Sequence, residues 1–328
     1  MISKKKIKVA VLRGGPSSEY DVSLKTGAGV LANLGEKYEA LDILIDKKGV
    51  WHFKGLPIKS EHLDKMADVA FIAMHGEYGE DGTVQRLLEH LGVPFTGSGA
   101  LSSAIGMNKV LAKNHFVNAG IKTPIHTVVS RDRYIPGQTA IEIYRTFPQP
   151  SVLKPVSGGS SVATSIAKTV DEIEEALRKG FEVSDEVLVE EFIKGKEATC
   201  GVLEYFRNED LYAMLPIEIV PKSQTFFDYE AKYSSENGAL EICPGNFTKE
   251  ESVEIQKLAK LAHQSINAKH YSRTDFIIHP KRGIYCLEIN TLPGLTAQSL
   301  IPKAITAVGS SYAELLDHLI TLALKAKK

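Results

Sequence analysis

The chain is 328 residues long, more than one small domain needs and suited to two or three. Its 43% hydrophobic and 24% charged residues are those of a globular protein, and 39 basic against 40 acidic side chains leave a net charge of −1. That balance excludes bulk attraction to nucleic acid or an anionic membrane surface, and no apolar run approaches the length of a membrane span. The three cysteines, Cys200, Cys243 and Cys286, are odd in number and lack CxxC spacing, so they read as free thiols rather than disulfides or zinc ligands.

The basic start, Met1-Ile-Ser-Lys-Lys-Lys, precedes an apolar core of only four residues. This is a first β-strand rather than a signal peptide, and it predicts a cytoplasmic protein. Strands are expected at Lys8–Leu12, Ala40–Ile45 and Val69–Met74, with a helix running from the Gly14–Glu19 loop to about Leu34. Val84, Leu87, Leu88 and Leu91 mark another helix, stopped by Gly92. Strands alternating with helices predict an open parallel α/β sheet, whose loops Gly14–Glu19 and His75–Gly82 lie at strand C-termini, where such sheets bind ligands. His75 there is by default a core histidine.

Residues 99–119 read as one connecting helix, ended by Gly120 and barred from continuing by Thr123-Pro124. On it, Lys109 alone is an ordinary surface lysine. A second unit follows to about residue 187. Its strand Ser151–Pro155 carries Lys154 into the small-residue loop Val156-Ser-Gly-Gly-Ser-Ser161, where backbone amides and a lysine could meet a phosphate. The loop equally suits an ordinary turn, and it is not a P-loop, because GxxxxGK[ST] is absent. Thr169 with Glu172, and later Thr248 with Glu251, are capping boxes that open helices. The strand from Glu186 ends in Glu190-Glu191, with Glu197 beyond, acceptors for a ribose or an adenine amino group, or else charges guarding an edge strand. A strand is expected over Tyr212–Val220. Residues 222–246 show no period, and their aromatic and charged mixture suggests a lid.

The runs Phe276–His279 and Ile284–Glu288 flank the turn Pro280-Lys-Arg-Gly283 and predict a hairpin. With His279 paired to Ile284 across a four-residue loop, Asp275 lies opposite Glu288, and Asn290 and Arg273 share their face. Like charges opposite one another are destabilising. A divalent cation would account for them, since two carboxylates and an amide oxygen are hard ligands suited to Mg²⁺ beside phosphates. A solvent-facing hairpin with a stray salt bridge is the plain alternative. Arg273 could neutralise a developing oxyanion. A last helix spans 311–326.

Seven segments in order, Gly14-Gly15-Pro-Ser-Ser-Glu19, Met74-His75-Gly76, Glu80-Asp-Gly-Thr83, Lys154 through Ser161, Phe227 through Tyr233, Arg273-Thr-Asp275 and Leu287 through Thr296, together resemble the D-alanine–D-alanine ligases of the ATP-grasp superfamily. The resemblance covers essentially the whole chain. It implies an N-terminal substrate-binding α/β domain (1–105), then a two-part ATP-grasp fold of α+β type: a central part (106–187) and a C-terminal part (188–328) with lid 222–246 and the metal site. It implies that ATP phosphorylates one D-alanine, that a second D-alanine attacks the acyl phosphate, and that the dipeptide supplies peptidoglycan synthesis. By the same resemblance, Lys109, Lys154, Ser161, Glu190, Glu191, Ile193, Glu197 and Lys232 bind nucleotide. Asp275, Glu288 and Asn290 hold two Mg²⁺ or Mn²⁺ ions. Glu19 and His75 lie at the first D-alanine, and Ser299 and Leu300 at the second. Arg273 and the Gly294 amide stabilise the oxyanion, and Glu19, Ser160 and Tyr233 form a hydrogen-bonded trio. A homodimer is implied as well. Tyr233 favours D-alanine over D-lactate as second substrate. Ala163, Phe227 and Tyr20 depart from the common pattern without removing a residue assigned to chemistry. Two other readings are an ATP-grasp ligase for a different carboxylate and amine, including the D-Ala-D-lactate type, and a non-catalytic nucleotide-binding regulator.

Overall fold

The computed structural model describes residues 6–158, 163–221, 239–296 and 298–325. The first sheet holds β1 (Ile7–Gly14), β2 (Tyr38–Ile45), β3 (Trp51–Phe53), β4 (Leu56–Ile58) and β5 (Val69–Ile72) in the order β4-β3-β2-β1-β5. Strands β1, β2 and β5 are parallel as expected, but β3 and β4 add an antiparallel edge that the strand–helix alternation did not predict. Turn chemistry is the cause. Asp46 accepts hydrogen bonds from the backbone N–H groups of Lys48 and Val50, Gly49 takes φ +81°, and the chain reverses immediately. Lys54 and Gly55, both at positive φ, reverse it again. Turns this short permit only antiparallel pairing.

Helices α1 (Tyr20–Asn33), α2 (Leu63–Met66) and α3 (Thr83–Leu91) accompany this sheet, and α3 ends at a left-handed Gly92 as its sequence requires. The expected single helix over 99–119 is two: α4 (Ala100–Met107) and α5 (Lys109–Asn118). Asn108 leaves helical geometry (φ −93°, ψ 106°), and its side-chain oxygen accepts from the N–H groups of Val110 and Leu111. An asparagine can cap a helix from within an apolar run, and periodicity does not register it. The break matters for the site: it makes Lys109 the first residue of α5 and lets its N–H donate to Val156 O at 3.0 Å.

Next comes a four-stranded antiparallel sheet of β6 (His126–Ser130), β7 (Ser151–Pro155), β8 (Ser165–Ala167) and β9 (Glu186–Glu191), ordered β6-β9-β7-β8, with α6 (Gln138–Thr146) and α7 (Val170–Val183). The Thr169 capping box opens α7 as its sequence predicts. The third sheet is also antiparallel: β10 (Lys196–Phe206), β11 (Glu209–Ala213), β12 (Ile217–Val220), β13 (Leu240–Ile242), β14 (Tyr271–His279) and β15 (Gly283–Asn290). The strand expected over Tyr212–Val220 is split into β11 and β12, because Pro216 has no N–H for a ladder. Helices α8 (Lys249–Ser265), capped by Thr248 and Glu251, α9 (Leu300–Ala307) and α10 (Tyr312–Lys325) complete the chain. Helix α9 was not anticipated; Pro302 disguised it, although proline is tolerated in a first turn.

The last helix returns to the first sheet. Leu315, Leu316, Leu319, Ile320 and Ala323 form one helical stripe, buried in a core shared with Val9, Leu12, Val69 and Phe71. Each such leucine contributes roughly 2 kcal/mol relative to exposure, so the chain's end is integral to its beginning. Polar contacts also tie the segment after α3 to the residues just before β14: Gly97 N–H donates to His270 Nδ1 at 3.0 Å, and Lys269 N–H to Ser98 Oγ at 3.0 Å. Cys200 and Cys286 are buried, Cys243 is half-buried, and all three are free thiols. Among the described residues no helix is long and apolar enough to cross a membrane.

Candidate active site

The β14–β15 hairpin sets Asp275 opposite Glu288, as the spacing predicts, but by another route. The loop has three residues, with His279 paired to Gly283, one position off the expected register. A β-bulge between Asp275 and Phe276 then leaves Leu287 as the extra residue and restores the pairing. Gly283, at φ +83°, supplies the left-handed position a three-residue hairpin requires. Arg273 pairs with Asn290 on the same ladder.

Asp275 is held on two sides. The Arg273 guanidinium donates to both its oxygens, from Nε at 3.0 Å and from the terminal nitrogen at 2.9 Å. Thr199 Oγ1, across on β10, donates to Oδ1 at 2.5 Å. Burial disfavours the arginine's charge, but Asp275 outweighs it and raises the pKa above the ordinary value. The Glu288 side chain makes no hydrogen bond or ion pair among the described residues, although Lys109 and Arg273 attract its charge. Asn290 Oδ1 accepts from Leu292 N–H at 2.8 Å and retains a lone pair. Two carboxylates and an amide oxygen, with a glutamate side chain in no ion pair among the described residues, are a donor set that fits a hard divalent cation.

Facing this wall are Lys109 and Lys154, with Lys113 fully buried outside the cleft lining. Lys109 Nζ donates to Gly158 O at 2.7 Å; burial pushes its pKa down, against the opposing pull of Glu288. Lys154 on β7 pairs with Leu188 on β9, so Glu190, two residues on, shares its face, and Lys154 Nζ meets Glu190 Oε2 at 2.7 Å. The other oxygen, Oε1, forms an ion pair with Lys113 of α5. Burial would raise the Glu190 pKa, but Lys154 and Lys113 hold it down to about 2. The Glu190 carboxylate is thus engaged by two lysines while the residue still lines the cleft. Likewise Glu191 accepts from Ile125 N–H at 3.2 Å and pairs with Arg282 at 2.8 Å, so its carboxylate is turned to the protein. Lys113 and Thr199 went unpredicted. Lys113 stands four residues after Lys109 on one helix face, a visible signal; Thr199 requires the strand order.

At the far end, Glu19 lies beside Gly76, where a Cβ would come 2.8 Å from Ser17 Oγ and 3.4 Å from Glu19 Oε1. His75 is buried and hydrogen-bonded, Nε2 to Thr26 Oγ1 at 2.8 Å and Nδ1 to Glu80 Oε1 at 3.1 Å. Its ring is therefore engaged within the protein, the default reading for that position. Burial and then Glu80 raise the Glu19 pKa, while His75 opposes them. A carboxylate with a raised pKa loses its charge sooner as pH falls. If Glu19 holds a substrate ammonium, kcat/KM for that substrate falls on acidification from a higher pH than an ordinary glutamate gives. Glu19→Gln abolishes that limb, and a pH–rate profile of both proteins checks it. Ser299 Oγ accepts from Thr296 N–H at 3.0 Å, and a Cβ on Gly294 would lie 2.9 Å from it, so a side chain at 294 would displace Ser299.

One cleft of about 1630 Å³ gathers most of these groups: Glu19, Lys109, Lys154, Glu190, Glu191, Ile193, Glu197, Arg273, Asp275, Glu288 and Leu300 all line it. His75, Asn290, Gly294 and Ser299 are not among its lining residues. Ser160, Ser161, Lys232 and Tyr233 lie outside the described residues, as does 222–238 of the expected lid, whose remainder contains β13.

The comparisons with known proteins agree along the chain's length. Residues 8–62 and 54–98 match the model of the D-ala D-ala ligase N-terminus, and residues 115–321 that of the C-terminus. The chain is 40% identical over 326 residues to a D-alanine–D-alanine ligase of Geobacter sulfurreducens, covering 98% of this chain and 96% of that protein. The fold resembles the crystal structure of the VanG D-Ala:D-Ser ligase from Enterococcus faecalis, with TM-score 0.86 and 31% identity over 97% of this chain and 100% of that one. It also resembles a D-alanine–D-alanine ligase structure from Coxiella burnetii, with TM-score 0.83 and 30% identity over 98% and 95% of the two chains. These matches bear out the mixed α/β, ATP-grasp-type architecture. With both family models matched in order and its relatives matched end to end, the chain belongs to the D-alanine–D-alanine ligase family.

Proposed function

We propose that the chain joins two molecules of D-alanine in an ATP-driven reaction that supplies a dipeptide for peptidoglycan. The observation that carries this reading is the composition of one cleft, with lysines at one wall, Arg273 beside paired carboxylates at the other, and Glu19 at its end. Lys109 and Lys154 would draw the triphosphate. The γ-phosphoryl group passes to a carboxylate oxygen of the first D-alanine, whose ammonium Glu19 holds, and ADP leaves. The amine of the second D-alanine, losing a proton, attacks the acyl carbon. The tetrahedral intermediate then expels phosphate and leaves the amide bond. Arg273 and the Gly294 amide would neutralise the oxyanion of that intermediate. Asp275, Glu288 and Asn290 would hold Mg²⁺ or Mn²⁺, which when bound offsets phosphate charge. Positioning and electrostatics supply most of the catalysis in such transfers.

The test is phosphate release from ATP and Mg²⁺ with D-alanine, L-alanine, D-alanine plus D-lactate, and D-alanine plus D-serine, with products identified by mass. Dipeptide from D-alanine alone is the expected result. A mixed product with D-lactate or D-serine as the main species overturns the second substrate but not the mechanism. No phosphate release from any pair overturns the reading.

A further inference from the structure

We infer that Lys113 is a positioning residue for nucleotide binding, setting the place of the Lys154 ammonium through the carboxylate of Glu190. The inference rests on the ligase reading and concerns a residue outside the cleft lining. Lys113 and Glu190 are 0% and 1% exposed, and Glu190 is the one ion-pair partner of Lys113 among the described residues. Each Glu190 oxygen has its own lysine, Lys113 on Oε1 and Lys154 on Oε2. Only Lys154, of these two lysines, lines the cleft.

Stability alone is a poor reason for this arrangement. The desolvation of a buried ion pair largely cancels its attraction, and an apolar group at 113 could pack as well. Charge gives a better reason. Lys113 and Lys154 both contact the single carboxylate of Glu190, so this buried triad carries an excess of one positive charge, presented at the cleft wall through Lys154. Such an excess suits a polyanionic ligand. Occupying Oε1 with Lys113 also prevents Glu190 from gripping the Lys154 ammonium with both oxygens. Without Lys113, the carboxylate either draws Lys154 back from the cleft or takes up a proton and releases it. Both outcomes act on Lys154 and leave α5 capped by Asn108.

The experiment compares Lys113→Met and the double variant Lys113→Met/Glu190→Gln with the wild type, by thermal melting, steady-state kinetics and direct binding of a non-hydrolysable ATP analogue with Mg²⁺. The single variant is expected to raise KM for ATP and Kd for the analogue about tenfold or more, with KM for D-alanine unchanged. The double variant, which removes one cation and one anion together, is expected to melt near the wild type yet keep the weakened nucleotide binding. If either folded variant binds the analogue within twofold of the wild type, Lys113 does not position Lys154. Failure of both to fold assigns the triad to stability and equally overturns the inference. A wild type that binds the analogue but forms no dipeptide defeats the proposed reaction instead, and the comparison of nucleotide binding stands.

Discussion

Arg273→Ala is expected to lower kcat by a factor on the order of 10² or more, while affinity for ATP changes only a few-fold. The guanidinium is 20% exposed and forked onto Asp275, so its plane and charge are fixed before substrate arrives. Preorganised charge costs no reorganisation when an oxyanion develops, which is why a single donor of this kind weighs so heavily. The substitution also leaves Asp275 with Thr199 as its remaining hydrogen-bond donor among the described residues, so its pairing with a cation shifts too. Arg273→Lys separates the two effects: it keeps a charge but loses the two-pronged contact, and should fall between alanine and wild type. Steady-state phosphate release with D-alanine reads all three proteins. An unchanged turnover number for Arg273→Ala would remove the arginine from the chemistry.

Glu288→Gln carries the second large effect. Turnover is expected to fall by a factor on the order of 10² or more, with a higher Mg²⁺ concentration needed for half-maximal rate. Stability should change little. Glu288 stands directly opposite Asp275 and makes no ion pair among the described residues, but Lys109 and Arg273 attract it, so removing its charge relieves one repulsion and loses two attractions. The melting temperature without metal should therefore stay near level, the pattern of a residue kept for function rather than for stability. A lower melting temperature together with wild-type turnover would place Glu288 in the fold instead. The comparison must be made without Mg²⁺, because a ligand that binds only the folded state stabilises it by mass action.

Much of the site could be read from the chain because its determinants are local. Both capping boxes, the Gly92 stop and the acidic hairpin depend on residues a few positions apart, and all four are present. The hairpin shows the limit of such reading. Asp275 does face Glu288, yet the expected loop was one residue too long, and the bulge at Leu287 corrected the register. Bulges answer to twist and to the packing of a whole sheet, which a spacing count does not contain. Glu190 and Glu191 were recognised as belonging to the cleft, but their carboxylates are committed to Lys113, Lys154 and Arg282.

The sequence by itself determined the family, the order of strands and helices in outline, and the residue types available for phosphate, metal and amino-acid recognition. Periodicity, caps, turns and motif spacing are short-range properties, and each is written within a few residues. Only the tertiary structure decided that β3 and β4 run antiparallel, that Asn108 breaks a helix to bring Lys109 to Val156, and that α10 closes on the first sheet. It also decided that Lys113 and Glu190, 77 positions apart, share a buried ion pair with Lys154. That contact exists because α5 packs on α8 and β15, from where Lys113 reaches Glu190 at the end of β9, while β7 pairs with β9 and brings Lys154, and no periodicity along the chain encodes the sum of those placements.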